Sequence, residues 1–94
     1  MRDRLAFGDH VQIHSGHGTA VVLGPIDSQF GSDYVYYNIA YDSTEEGHTH
    51  LERCQLALIG RMTREQLLTH SNCRVRRRAL AYDDYDARDP ELGT

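Results

Sequence analysis

The chain has 94 residues, 39% of them apolar and 26% charged, with a net charge of −4, which leaves room for one domain with a thin core and excludes a second. No apolar run approaches the roughly 18 residues of a membrane span, and the charged start Met1-Arg2-Asp3-Arg4 leaves no secretory signal visible, so a soluble chain in a cytoplasmic setting is expected. The charge is segregated: three Arg face eight acids in residues 1–60, six Arg face Glu65 alone in 61–82, and Arg88 faces five acids in 83–94.

In chain order, residues 5–60 read as a run of short strands, with β-branched and aromatic residues in period two between Gly, Pro, Asp and Ser. Val11 and Ile13 share one face of a first strand, with His10, Gln12 and His14 on the other. Two glycines, Gly16 and Gly18, turn the chain into a second strand, Thr19 to Leu23, which Gly24-Pro25 breaks. A longer loop carries Phe30 at its middle. Tyr34 to Tyr41 is the strongest strand signal, and its alternation points Val35, Tyr37, Ile39 and Tyr41 inward. A polar turn ending at Gly47 leads to an extended His48 to Leu51, after which Leu56, Leu58 and Ile59 close the apolar set. Seven side chains, Val11, Ile13, Val21, Tyr37, Ile39, Tyr41 and Leu56, are expected to converge on one interior.

Beyond Gly60 the period changes. Thr63 and Gln66 have the spacing of a capping box, so a short helix over 63–70 is predicted, docked by Leu67 and Leu68 and ended at Ser71-Asn72. For Asn72 to Tyr82 periodicity leaves strand and helix open, and an extended segment is favoured. Residues 61–82 are thus a short helix and an Arg-rich segment beside the strands. Residues 83–94, with their acids, Pro90 and Gly93, read as a solvated, disordered tail.

The order Gly8-Asp9-x-Val11, Gly16-x-Gly18-Thr19-x-Val21, a strand ending Tyr41-Asp42, a turn at Gly47 and Leu56-x-Leu58-Ile59 resembles a small SH3-like or Tudor-like barrel of four or five strands. Over about residues 7–59 it is similar to the C-terminal module of UvrD/PcrA-type DNA helicases and, more loosely, to the RNA polymerase-interacting module of CarD-type regulators. The resemblance implies a mainly-β, non-catalytic module whose relatives bind RNA polymerase, another protein or nucleic acid.

Among residues able to carry chemistry, Arg74, Arg76, Arg77 and Arg78 suit phosphates, which bidentate guanidinium groups grip well, although Asp83, Asp84 and Asp86 lie close enough in sequence to pair with them. Phe30, Tyr34 and Tyr36 are candidates for a protein interface, where aromatic side chains anchor. His10 and His14 share a strand face, as do His48 and His50, so pairing of those two strands would assemble a histidine metal site, although no Cys-x2-Cys clamp accompanies them. Cys54 and Cys73 are expected as free thiols. No phosphate loop or dinucleotide fingerprint occurs, and Glu45, Glu46 and Glu52 sit where solvation is the default, so neither catalysis nor a cofactor is expected. The reading is a protein-binding adaptor, inhibitor or regulator acting on RNA polymerase or another nucleic-acid-processing complex, as a monomer or homodimer, with nucleic-acid binding through the four Arg, or metal binding, as alternatives.

Overall fold

Period-two runs become strands here because each has an apolar face to bury. In the computed structural model, which describes residues 4–14, 16, 18–26 and 36–85, five of them form one antiparallel sheet: β1 (Asp9–Ile13), β2 (Thr19–Ile26), β3 (Tyr36–Tyr41), β4 (His48–Glu52) and β5 (Leu56–Arg61), in the order β4-β3-β2-β1-β5. A single 3-10 turn, Arg53–Gln55, leads into β5, which crosses back to pair with β1.

Alternation gives the sheet two buried faces. One gathers Leu5, Val11, Ile13, Ala20, Val22, Tyr37, Ile39 and Leu56, with Tyr41 and Leu58 packed against them. Tyr37 is almost wholly buried, and its hydroxyl accepts the Leu5 N–H at 3.1 Å, so the polar end of the ring is satisfied. The other face carries Phe7, Val21, Leu23 and Ala40. Six of the seven side chains expected to meet do so. Val21 does not: it pairs with Ala40 and lies on the opposite face, and its neighbour Val22, opposite Ile39, takes the interior place. Ile59, expected to close the apolar set, is 49% exposed.

Two helices cover the second face. α1 (Arg64–Leu68) begins at the capping box: Thr63 Oγ1 accepts the Gln66 N–H and Gln66 Oε1 accepts the Thr63 N–H. Residues 73–81, where an extended segment was favoured, are instead a second helix, α2 (Cys73–Ala81). Asn72 decides this. Its Oδ1 caps the helix by accepting the Arg74 N–H at 2.9 Å, while its Nδ2 donates to the carbonyls of Tyr41 and Gly47. Val75 and Ala79, four residues apart, then bury the inward stripe against Leu67 and the sheet.

Order also continues past Asp83. Tyr85 packs edge-on against Phe7 and donates its hydroxyl hydrogen to the Met62 carbonyl at 2.5 Å. That approach requires Gly8, whose φ of +95° suits glycine and where any Cβ would strike the Tyr85 ring. The expected tail beyond Tyr85 lies outside the described residues.

Candidate functional site

The helix-bearing face of the sheet is not fully covered. Between Val22 and Gly24 the β2–β3 register shifts, so that Leu23 is the extra residue of a bulge and Gly24 falls opposite Asn38. Gly24 adopts φ +155° and presents no side chain, which leaves the space beside Asn38 open. α2 runs along this opening. Arg74, Arg77, Arg78 and Ala81, spaced as one helical stripe, wall a groove of about 450 Å³ floored by Leu23, Gly24, Pro25, Ile26 and Asn38. Arg78 reaches over Gly24, its guanidinium 3.6 Å from where a Cβ would stand.

The four arginines therefore do not act together. Three line the groove, whereas Arg76 turns away and donates to the carbonyls of His70 and Ser71, tying α2 to the end of α1. Arg74 uses its Nε on the Glu46 carbonyl at 2.8 Å. Among the described residues the side chains of Arg77 and Arg78 make neither a hydrogen bond nor an ion pair, and none of the three pairs with Asp83 or Asp84. Asp86 lies outside the described residues.

Asn38 adds a second unsatisfied feature. Its Oδ1 is shielded from solvent and has no hydrogen-bond partner among the described residues. A buried amide carbonyl without a donor is uncommon, because desolvation costs about 1–3 kcal/mol when nothing replaces the lost water.

Of the aromatic candidates, Phe30 and Tyr34 lie outside the described residues. Tyr36 lies on the same face as Asn38, two residues along β3, and pairs in register with Ile26 of the groove floor. It is 39% exposed, and its hydroxyl donates to Glu52 at 3.2 Å.

The strand order separates the histidines, since β2 and β3 lie between β1 and β4, and the pairing that would join His10 and His14 to His48 and His50 is not made. His48 and His50 stand on the edge strand β4 with ring centroids 6.1 Å apart, and His14 is exposed beyond β1. No group of three or more His, Cys, Asp or Glu suited to a metal ion occurs among the described residues. Cys54 and Cys73 are both free.

His10 belongs instead to a polar junction around Asp42. The Asp42 carboxylate takes hydrogen bonds from Thr19 Oγ1 at 2.5 Å, His10 Nε2 at 2.6 Å and His70 Nε2 at 2.7 Å. Burial raises the Asp42 pKa, but the bonds from Thr19, His10 and His70, with the charge of His10, outweigh it and hold the carboxyl below its ordinary value. The junction joins β1, β2, the β3–β4 turn and the α1–α2 connection, so it holds the fold together.

These observations define a small mainly-β domain, a five-stranded antiparallel sheet with two short helices on one face and an arginine-walled groove between helix and sheet. No protein-family model, no curated protein and no solved structure matches the chain. No helix among the described residues is long and apolar enough to cross a membrane.

Sequence reasoning found the arginines and missed Gly24 and Asn38. In the sequence Gly24-Pro25 suggests a strand break, although a glycine inside an apolar strand run is also the mark of a bulge or a close approach. Asn38 carried no signal, because an amide in a strand becomes unusual only when its neighbours leave it unpaired.

Proposed function

We propose that the chain is a non-catalytic binding module, an adaptor or small regulator, that engages its partner through the groove between α2 and the β2–β3 pair and takes an anionic group there. The carrying observation is the pair Arg77 and Arg78, two guanidinium groups lining a concave groove without a partner among the described residues. Unpaired arginines beside an apolar floor suit phosphate or carboxylate recognition, since the planar fork grips two oxygens at once. A nucleic-acid-processing complex would offer such groups on nucleic acid or on acidic protein surfaces.

The test is retention on phosphocellulose at neutral pH. A chain of net charge −4 is held there only by a local basic site. Retention that weakens with salt, and is lost in the variant carrying Arg77→Gln and Arg78→Gln, is expected. Equal retention of the variant and the unsubstituted protein would remove the groove as the binding surface.

A further inference from the structure

We infer that the groove seats one nucleotide of a single-stranded nucleic acid, its phosphates gripped by Arg77 and Arg78 with Arg74 beside them, and its base laid between the groove floor and Tyr36 within reach of the Asn38 amide. This rests on the reading of the groove as an anion site and names the anion's source.

Three features favour a nucleotide over other anions. The groove combines charge with apolar surface. Leu23, Pro25 and Ile26 line it, and Tyr36, 39% exposed, pairs in register with Ile26. A phosphate ion or a carboxylate side chain has no use for that surface, whereas every base has a π-face that stacks on an aromatic ring.

The Asn38 amide is the second feature. Its Oδ1 has no hydrogen-bond partner among the described residues, and an amide carries both a carbonyl and an NH2 to offer an occupant. Base edges carry amino donors and ring acceptors that an amide matches, and a bound base amino group would satisfy the carbonyl that the protein leaves unmet.

Size and spacing are the third. About 450 Å³ is the scale of a small-ligand site, enough to receive an unstacked base, whereas the bases of a duplex are already stacked and paired. Arg74 and Arg78 are about 6 Å apart along the helix axis, which allows the stripe to meet successive phosphates of an extended strand.

The experiment is fluorescence anisotropy with labelled oligo-dC, oligo-rC and oligo-dT of about a dozen nucleotides, a blunt duplex of the same length, and an oligoglutamate peptide as the protein-like anion. The single strands are expected to bind more tightly than duplex or peptide. Contact with two or three phosphates predicts a roughly tenfold loss of affinity between about 50 and 200 mM salt. Arg77→Gln with Arg78→Gln should weaken binding at least tenfold and flatten that salt dependence, and Tyr36→Leu should weaken it roughly tenfold through the lost stacking partner. Oligo-dC and oligo-dT should both bind, and Asn38→Ala should weaken both, because an amide matches either base edge. Melting by circular dichroism confirms that each variant is folded; Arg77, Arg78 and Tyr36 are exposed, so their replacement leaves both cores in place.

Arginine-dependent binding of oligoglutamate as tight as that of oligo-dC would overturn the nucleotide inference and leave the groove as an acidic-protein site. Duplex bound as tightly as single strand would overturn it as well. Absence of any arginine-dependent binding by folded protein, to all of these probes, would overturn both the inference and the reading beneath it.

Discussion

His70 donates its Nε2–H to Asp42 at 2.7 Å while its Nδ1 accepts the backbone N–H of Asn72 at 2.9 Å. A ring nitrogen that accepts a hydrogen bond carries no proton, so the Asn72 contact assigns His70 its Nε2–H tautomer. The link runs from the turn after β3, through His70, to the cap residue of α2, and places the helix whose outer stripe walls the groove.

The Asp42 junction makes stability pH-dependent in a defined sense. A carboxyl held below its ordinary pKa in the folded state contributes stability that is complete above the unfolded value and is lost as pH falls through the folded one. Asp42→Asn should therefore lower Tm at neutral pH, by roughly 10 °C for a loss of about 2 kcal/mol. The gap between variant and unsubstituted protein should narrow as pH drops below about 4. Thermal melts across pH check this, and a gap that widens in acid would contradict it.

A second ionised pair is less accessible. Asp9 is fully buried and accepts from Arg61 NH1 at 2.9 Å and from the Ala6 N–H at 2.8 Å, with Arg61 also over the Tyr85 ring. Arg61→Met strands the carboxylate and should cost about 3–5 kcal/mol in urea denaturation. Adding Asp9→Asn should recover part of that loss, because the buried charge is then gone.

Asn72 has two separable roles. Asn72→Ser keeps a capping oxygen and loses the donations to Tyr41 and Gly47, whereas Asn72→Ala loses both. The alanine variant should be destabilised by about 2–3 kcal/mol and the serine variant by less, read from denaturant midpoints at constant m-value.

The two apolar clusters lie on opposite faces of the sheet, so they should respond independently. Ile39→Val in the first should cost about 1 kcal/mol and Leu67→Ala in the second about 2–5 kcal/mol. The double variant should equal their sum to within about 0.5 kcal/mol. A larger departure would mean that the faces are coupled through the sheet.

Much of the fold was legible because strand and cap signals are local. The alternation in Asp9–Ile13 and in the Tyr36–Tyr41 part of the strand read as Tyr34 to Tyr41, and the Thr63–Gln66 box, each depend on residues within one element, and each forms as expected; Val35, expected inward, lies outside the described residues. Segment 73–81 was not legible in that way. Its apolar content is too small to choose a period, and the choice came from Asn72 reaching the carbonyls of Tyr41 and Gly47, some 25 to 31 residues away.

By itself, then, the amino-acid order determined a mainly-β chain, most of its inner face and a concentration of arginine after residue 60. Only the tertiary structure decided that Val21 faces the helices while Val22 faces inward, since that depends on which residue of β3 each one meets. It alone separated Arg76 from Arg74, Arg77 and Arg78 and set the last three against Gly24 and Asn38. A groove is a relation between surfaces distant in sequence, and neither composition nor periodicity encodes the distance across it.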